Sequence, residues 1–337
     1  MRYKVTVSAL AMALLLLSGC QRGEGPHAPA GQLHKVRFTE VIHSIFYAPQ
    51  YVAQAKGFFA EEGIDLDFST AQGSDKGTAA LLAGTADIAL VGPETTVFVY
   101  QQETPNKVKL FAQITTTDGS FLVARQPDPN FAWEKLQGKS VVGWRPGSMP
   151  QLVAGALFKR HGVTDLNYIS NLSAPAMAGA FQSGQGDYLQ VFEPIVSQLE
   201  KAGVAYPVAA IGPAYGDVPY TGYTATDEYI KKNPEIIQAY TNAIYKAMLY
   251  LQRTDPAVVA KEVAPYFEGT DPALLESSIR RYQQSGGWKQ TPDMNPADFE
   301  KLQALMVEGG VLDAGKKAPF AAIATNQFAE KAIKEIK

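Results

Sequence analysis

The pattern of apolar and polar residues predicts strands and helices in alternation over the first part of the chain. Val36 to Val41 alternates apolar and polar side chains, as a strand with one buried face does. A helix from Ala48-Pro49 to Gly57 follows, because proline is tolerated in a first helical turn and glycine favours a helix end. A second strand is predicted over Ile64 to Phe68. A helix that Ser74 or Asp75 could cap runs from Gly77 towards Gly84, and an all-apolar strand follows over Ile88 to Val91. This order is typical of α/β units with a parallel sheet.

A second segment repeats the same plan about one hundred residues later. The stretch AALLAGTADIALVGPE, from Ala79 to Glu94, aligns with GAFQSGQGDYLQVFEP, from Gly179 to Pro194, so that Asp87 falls opposite Asp187. A further strand over Ser140 to Trp144 precedes a helix, as in the first copy. Order, spacing and element type agree, and we therefore predict two similar α/β lobes.

The last third of the chain predicts helices. Four dipeptides place a capping side chain directly before a proline, which is a helix-start signal: Asn233-Pro234, Asp255-Pro256, Asp271-Pro272 and Asn295-Pro296. We expect these helices to pack on the first lobe. The chain then crosses between the lobes twice, near Phe121 to Gln126 and near Tyr220 to Thr226, and two adjacent crossings form a two-strand hinge. The predicted lobes are residues 35–122 with 226–337, and residues 123–225.

The N-terminus predicts export and a lipid anchor. Arg2 and Lys4 precede an apolar run, which indicates a signal peptide over residues 1–19. The run ends in Leu17-Ser18-Gly19-Cys20, which resembles a bacterial lipobox, the motif in which the cysteine thiol is acylated. Residues 20–34 are rich in Gly, Pro and Ala and predict a flexible tether. The body is then extracytoplasmic and membrane-anchored, in a periplasm or on the outer face; the alternative is a plain secretory signal.

Composition excludes several classes of function. The 337 residues are 46 % hydrophobic and 19 % charged, which indicates a globular protein. A net charge of −3 without a basic cluster argues against a nucleic-acid partner. The sequence contains no phosphate-loop motif, no dinucleotide-type glycine run, no histidine pair at metal-ligand spacing and no Gly-x-Ser-x-Gly elbow. We therefore predict no catalytic residue, cofactor or metal, although a triad assembled in space remains the alternative.

Polar and aromatic residues follow the predicted strands in both lobes, where open α/β sheets bind their ligands. The candidate ligand-binding residues are Ser44, Phe46, Tyr47, Ser74, Gly92, Glu94, Asp118, Arg145, Gly147, Ser148, Phe192, Glu193 and Tyr220. Structural roles are the alternatives: Phe46 and Tyr47 as core aromatics, and Ser74 and Ser148 as helix caps. Glu94 and Glu193 each follow a buried strand, where a carboxylate that binds no ligand needs a salt bridge or a helix start.

Three segments resemble extracytoplasmic solute-binding proteins of ABC importers. They are FYAPQYVAQAKGFFAEEGIDLDF from Phe46, LLAGTADIALVGPE from Leu81, and LQGKSVVGWRPGSMPQ from Leu136. That family includes nitrate, alkanesulfonate and taurine binders and binders of the pyrimidine precursor of thiamine. The resemblance implies the type 2 periplasmic-binding-protein fold, a ligand clamped between two lobes, a membrane permease as partner, a monomer, and no catalysis. A related yeast-type branch that makes the pyrimidine uses a cysteine-rich motif, which is missing here; a synthase-like enzyme is the alternative of another class.

The class of ligand stays open between two chemistries. Arg145 and Gly147-Ser148 fit an anion such as a small sulfonate or nitrate. Glu94 and Glu193 fit a ligand with N–H donors instead, and the resemblance implies that a glutamate near Glu193 reads an aminopyrimidine. Phe46, Tyr47 and Phe192 are suited to stacking on a ring. We prefer an amino-substituted heteroaromatic such as a thiamine pyrimidine precursor, with the sulfonate as the alternative.

Overall fold

The computed structural model describes residues 33–102 and 104–337. The predicted signal peptide, Cys20 and nearly all of the predicted tether lie outside these residues. Within the described ranges, none of the helices has both the length and the apolar character that spanning a bilayer requires.

The described strands and helices alternate through the first two thirds of the chain, and helices make up the last third. The strands are β1 (His34–Glu40), β2 (Ile64–Thr70), β3 (Ile88–Val91), β4 (Val108–Thr115), β5 (Phe121–Ala124), β6 (Lys139–Val142), β7 (Leu166–Ile169), β8 (Tyr188–Val191), β9 (Tyr206–Ala210) and β10 (Thr221–Thr226). The helices are α1 (Ala48–Ala55), α2 (Phe58–Glu61), α3 (Ser74–Leu82), α4 (Glu94–Gln101), α5 (Met149–Arg160), α6 (Ala174–Gln182), α7 (Ile195–Lys201), α8 (Ile211–Tyr215), α9 (Asp227–Lys232), α10 (Pro234–Arg253), α11 (Pro256–Val263), α12 (Pro272–Ser285), α13 (Pro296–Glu308), α14 (Phe320–Ile323) and α15 (Gln327–Glu335).

The strands form two five-stranded mixed sheets with the same plan. The first has the order β2-β1-β3-β10-β4 and the second β7-β6-β8-β5-β9. In each sheet the first three strands are parallel, and the fourth runs antiparallel to both of its neighbours. We call the first sheet with its helices lobe 1 and the second lobe 2. The predicted pair of similar α/β lobes is confirmed.

Two aspartates show the duplication at the level of single bonds. Asp87 Oδ2 accepts the N–H of Arg37 at 2.9 Å, and the N–H of Asp87 donates to the Arg37 carbonyl at 2.8 Å. Asp187 makes the same pair of bonds to Ser140, both at 2.8 Å. Asp87 therefore fixes the start of β3 to β1, and Asp187 fixes the start of β8 to β6. The Ser140 N–H also keeps the pKa of Asp187 below its ordinary value.

The chain crosses between the sheets in two segments that lie earlier than the sequence predicted. The first is 116–120, between β4 and β5, and the second is 216–220, between α8 and β10. The stretches predicted as crossings are largely the strands β5 and β10, because each sheet takes up the returning chain at once as its antiparallel strand. The two segments are bonded to each other, with the Val218 N–H donating to the Thr116 carbonyl at 2.9 Å.

The C-terminal helices begin where the sequence predicted. Helices α10 to α13 start at Pro234, Pro256, Pro272 and Pro296. Helices α10, α11 and α15 pack against α1, α2 and β4 of lobe 1, as expected. Helices α12 and α13 also contact lobe 2, through α7 and α5 respectively. The tail therefore packs on lobe 1 and reaches across to lobe 2.

Candidate ligand site between the lobes

A cavity of about 140 Å³ lies between the lobes, at the ends of the strands. Its lobe 1 wall comes from the loops after β1, β2 and β3 and from the start of β10. Its lobe 2 wall comes from the loops after β6, β7 and β8. The wall residues are Val41, Ile42, Tyr47, Gln72, Gly73, Ser74, Asp75, Lys76, Gly92, Trp144, Arg145, Ser148, Met149, Pro150, Leu172, Ser173, Ala174, Phe192, Tyr220 and Thr221.

Three helix N-termini meet at this cavity. The first residues of α3, α5 and α6 are Ser74, Met149 and Ala174, and all three line the wall. In none of the three helices does the residue at the N-cap position make a side-chain bond to the helix N-terminus, although the Glu94 carboxylate lies near the Met149 N–H of α5. Uncapped N-termini carry unpaired donors and the positive end of the helix dipole, so they form a favourable place for negative charge.

Charged residues form part of the wall. Arg145 Nη2 lies 2.6 Å from Asp75 Oδ1, and this ion pair joins lobe 2 to lobe 1. The guanidinium has five N–H donors, so an ion pair with one carboxylate oxygen leaves others for a ligand. Lys76 adds a second cation. The side chains on the wall therefore carry a net positive charge.

Aromatic side chains form much of the remaining wall. Tyr47, Trp144, Phe192 and Tyr220 all line it, and the rings of Trp144 and Phe192 meet edge to face at 5.2 Å between centroids. The Trp144 Nε1–H is used in a 3.1 Å bond to the Gln190 carbonyl. The site thus combines a positive end with flat apolar surfaces.

Tyr220 on the wall and Asp118 behind it form a buried polar pair. The Tyr220 hydroxyl and Asp118 Oδ2 both lack a hydrogen-bond partner in the described part of the chain. Asp118 Oδ1 is satisfied, since it accepts the Ser120 N–H at 2.6 Å and the Ser120 hydroxyl at 2.5 Å. Burial raises the pKa of Asp118 to about 6 and raises that of Tyr220.

The cavity wall includes seven of the thirteen predicted ligand-binding residues. These are Tyr47, Ser74, Gly92, Arg145, Ser148, Phe192 and Tyr220. The others lie elsewhere: Ser44, Phe46, Glu94, Asp118, Gly147 and Glu193. Neither serine on the wall makes the helix-cap bond that was its structural alternative, since Ser74 Oγ accepts the Gly92 N–H at 3.1 Å and Ser148 Oγ donates to the Arg145 carbonyl at 2.7 Å.

Phe46 and Ser44 hold the lobes together from behind the cavity. Phe46 is fully buried and packs against the rings of Phe192 and Tyr282, at 5.8 Å and 4.8 Å between centroids. Ser44 Oγ donates to the Glu193 carbonyl across the lobes at 2.7 Å. The core-aromatic interpretation therefore applies to Phe46, whereas its neighbour Tyr47 lines the cavity.

Glu193 has the structural role that was the alternative to ligand binding, because it forms a salt bridge and lies at the start of a helix. Its Oε1 lies 2.6 Å from Arg281 Nη1 and accepts the Ser197 hydroxyl at 2.9 Å, while Oε2 accepts the Ser197 N–H at 2.9 Å. Burial raises the pKa of Glu193, and Arg281 and Ser197 oppose that rise. Both carboxylate oxygens are therefore occupied by protein donors.

Glu94 is the first residue of α4 and is only 1 % exposed. Together with Gly147, it lines a separate cavity of about 480 Å³ on the other side of the Arg145–Asp75 ion pair. Its Oε2 has no hydrogen-bond partner in the described residues. Burial raises the pKa of Glu94 to about 7, against the lowering effects of nearby backbone N–H groups and Arg145.

Sequence reasoning missed several wall residues, chiefly Gln72, Lys76, Trp144 and the Ser173-Ala174 start of α6. The start of α6 could have been predicted from the sequence. Ser173-Ala174-Pro175 places a residue that often caps helices close to a proline, as at the other helix starts. The repeat also makes α6 the counterpart of α3. Gln72 carries no sequence signal, although among described residues it is the one non-glycine with a positive φ, 62°.

Two similar lobes, two bonded crossing segments and a cavity between the lobes define the class of type 2 periplasmic binding proteins. The chain belongs to the NMT1/THI5 like family, whose model matches residues 45–256. The family resemblance in the sequence is thereby confirmed.

Two relatives and one solved structure that are similar to the chain are named as binding proteins. The chain is 40 % identical over 325 residues to YtlA of Bacillus subtilis (strain 168), which is named as a binding protein, with 96 % of this chain and 95 % of the relative covered. It is 25 % identical over 292 residues to the taurine-binding periplasmic protein of Escherichia coli (strain K12), covering 84 % and 90 %. The crystal structure of the periplasmic nitrate-binding protein NrtA from Synechocystis PCC 6803 superposes with a TM-score of 0.77 at 15 % identity, covering 91 % of this chain and 90 % of that one. All three are named as binding proteins, in agreement with the prediction that the chain is a binding protein.

Proposed function

We propose that the protein is the solute-binding component of an ABC importer and that its ligand is a small organic anion of the sulfonate class. The observation that supports this proposal is that three helix N-termini meet Arg145 and Lys76 at one cavity. A sulfonate oxygen accepts hydrogen bonds from such N–H groups and from a guanidinium. The taurine binder among the relatives supports this class of ligand, because taurine is a sulfonate.

The aminopyrimidine preferred from the sequence has less support. That preference depends on carboxylates that face the ligand, and neither Glu94 nor Glu193 lines the cavity between the lobes. Asp75 does line it, but its Oδ1 is paired with Arg145. The aminopyrimidine therefore serves as the competing ligand in the test.

Closure of the lobes is the proposed mechanism. Wall residues come from both lobes, so a bound solute stabilises the closed arrangement by contacts that an open one lacks. The Arg145–Asp75 ion pair and the Ser44 to Glu193 hydrogen bond add contacts across the lobes. The free energy available for closure is the difference in affinity between the two arrangements. The closed complex then presents the solute to the membrane permease.

Calorimetric titration of the purified protein tests the class of ligand. We expect methanesulfonate or taurine to bind and 4-amino-2-methylpyrimidine not to bind. Arg145→Gln weakens sulfonate binding by about tenfold to a hundredfold, because it removes a charged donor worth about 1.5–3 kcal/mol. Lys159→Gln is the matched control, because Lys159 lies on α5 with its side chain 71 % exposed and away from the cavity wall. Binding of the pyrimidine without any sulfonate would contradict the proposal.

We also propose that Cys20 carries a lipid anchor, on the evidence of the Leu17-Ser18-Gly19-Cys20 motif. More than one acyl chain on one cysteine would hold the protein stably at a membrane. Cys20→Ser should move the protein from the membrane fraction to the soluble fraction, as followed by immunoblot of fractionated cells. Retention of this variant in the membrane fraction would show that another segment anchors the chain.

A further inference from the structure

Glu94 lies directly behind the wall of the cavity between the lobes. Gly92 lines that cavity, and a Cβ atom on Gly92 would overlap the Glu94 carboxylate. The missing side chain at Gly92 therefore lets the carboxylate lie close to the space that a solute would occupy. The carboxylate is buried, and its Oε2 has no hydrogen-bond partner among the described residues. Such an oxygen can take up a proton without the loss of an existing bond.

The Glu94 carboxylate and a bound anion would use the same positive groups. Burial raises the pKa of Glu94 to about 7, and Arg145 and the Met149 N–H oppose that rise. Arg145 and Met149 both line the cavity, and Met149 is the first residue of α5, one of the helix N-termini that we propose to hold the anion. Two negative charges that share these groups repel each other, so an anion in the cavity favours the neutral form of Glu94.

The charges that surround Glu94 come from several elements. On α3, Asp75 adds to the rise in the pKa of Glu94 but is paired with Arg145, and Lys76 lines the cavity. Helix α14, which also packs against α4, has no charged residue. The charged side chains of α13 and β4 form ion pairs with residues other than Glu94: Asp298 with Lys301, Glu300 with Lys317, Glu308 with Lys159, and Lys109 with Asp227.

Four further titratable side chains lie near the cavity. Burial raises the pKa of Tyr47 and of Tyr220, and the charge of Glu94 adds to both rises, so these two phenols stay protonated. Burial also raises the pKa of Asp118 to about 6. The pKa of His43 is lowered by burial but raised more by Glu40 and the Tyr266 carbonyl together. A test of Glu94 therefore has to separate it from Asp118 and His43.

We propose that binding of an anion between the lobes takes up a proton at Glu94. The proton comes from solvent and adds to the unpaired Oε2, so the carboxylate becomes a neutral acid and no bond of the ligand changes. The separate cavity of about 480 Å³ that Glu94 also lines gives the proton a path that does not pass the ligand. This inference rests on the proposed function, and it adds that affinity for the anion depends on pH through one residue.

Titration of methanesulfonate at pH 6 and at pH 9 tests the inference. This ligand is a strong acid and keeps its charge over the whole range, so a pH dependence belongs to the protein. Affinity should be highest where Glu94 is already protonated and should fall as pH rises. If the anion raises the pKa of Glu94 by one, the dissociation constant increases by about tenfold between the two pH values.

Calorimetry at pH 7.5 measures the proton directly. Triethanolamine and Tris are cationic buffers that do not compete for an anion site and that differ in ionisation enthalpy. The binding enthalpy in the two buffers should differ by the amount that uptake of about half a proton requires. Equal affinity at both pH values would overturn the inference and leave the proposed function standing. Absence of binding at both pH values would overturn the proposed function itself.

Glu94→Gln assigns the proton to this residue. Glutamine has nearly the same shape and does not titrate, so the variant should bind methanesulfonate equally well at both pH values. At pH 9 it should bind about tenfold more tightly than the unmodified protein. Asp118→Asn and His43→Gln are the matched controls and should keep the pH dependence. A dependence that persists in Glu94→Gln would place the proton on another group and overturn the inference.

Carboxyl ¹³C NMR of the unmodified protein provides the test if the glutamine variant fails to fold. The titration midpoint of the Glu94 carboxyl should move to higher pH when methanesulfonate is bound, because the anion disfavours the ionised form. A midpoint that does not move on binding would overturn the inference.

Discussion

Two buried glutamates at nearly the same repeat position have different surroundings. Four residues after Glu193 stands Ser197, which donates to both oxygens of the carboxylate. Four residues after Glu94 stands Phe98, which has no donor side chain, and Glu94 Oε2 is without a partner in the described residues. The sequence therefore contains a reason why one carboxylate is fully paired and the other is not.

Glu94 makes stability depend on pH. Its pKa rises from an ordinary 4.5 to about 7 in the folded protein, so the folded state binds more protons than the unfolded state between these values. The free energy of unfolding should therefore fall as pH rises from about 4.5 to 7, by about 2–3 kcal/mol from this group. Asp118, whose pKa rises to about 6, acts in the same direction.

Glu94→Gln should remove the Glu94 part of this dependence. We expect the variant to unfold at higher urea concentration than the unmodified protein at pH 8 and at nearly the same concentration at pH 4.5. The control is Glu300→Gln, since the Glu300 side chain is 64 % exposed. A difference between Glu94→Gln and the unmodified protein that is the same at both pH values would contradict the assignment.

Individual site residues could be predicted from the sequence only where they directly follow a strand, because the strand then fixes their position in the fold. The strand-end rule found Tyr47, Ser74 and Phe192, because a loop after a strand must lie at that edge of the sheet. It did not separate Tyr47 from Phe46, since the two are consecutive in a short 3₁₀ helix and point to different surroundings. It also did not find Arg281 as the partner of Glu193, because that contact joins elements 88 residues apart.

At the scale of helices, some described N-termini have a side-chain cap and others, in the tail as well as at the cavity, have none. Helices α11, α12 and α13 have side-chain caps, from Asp255, Asp271 and Asn295. The helices that begin at the cavity, α3, α5 and α6, have none. The sequence predicted the starts of α11, α12 and α13 well, because Asp-Pro and Asn-Pro are strong local signals. It predicted wrongly that Ser74 or Asp75 caps α3, because Ser74 instead accepts a bond from a loop 18 residues away.

Capping energetics provide a test within the tail. Asp255 accepts the Ala257 N–H at 2.8 Å, so Asp255→Ala should lower the free energy of unfolding by about 1 kcal/mol. Asn233 precedes a proline in the same way but makes no side-chain cap bond to α10. Asn233→Ala is therefore the matched control and should cost clearly less in urea unfolding followed by circular dichroism. Equal losses would mean that the cap bond contributes nothing at Asp255.

At the scale of the molecule, α12 couples the two lobes. The Tyr282 hydroxyl donates to the Gly119 carbonyl at 3.0 Å and accepts the Glu193 N–H at 3.1 Å. Arg281 on the same helix pairs with both Glu193 and Glu200 of lobe 2. The tail is thus bonded to a crossing segment and to the second lobe at once, which the sequence could not predict because these partners are far apart along the chain.

Tyr282→Phe should weaken this coupling. The substitution keeps the ring but leaves a buried carbonyl and a buried N–H without their partner, at a cost of about 1–3 kcal/mol. We expect a lower unfolding temperature and faster hydrogen exchange of the Glu193 N–H. Tyr206→Phe on the partly exposed strand β9 is the control. An unchanged unfolding temperature together with unchanged exchange would argue against α12 as the coupling element.

The second crossing segment ends at residues that line the cavity between the lobes. Tyr220 is the last residue of that segment and Thr221 the first of β10, and both belong to the cavity wall. In the proposed closure the crossing segments are the joint about which the lobes move, so a small displacement at Tyr220 becomes a larger one at the outer edge of each lobe. A substitution at position 220 would therefore change two properties together, namely which solute binds and how far the lobes close.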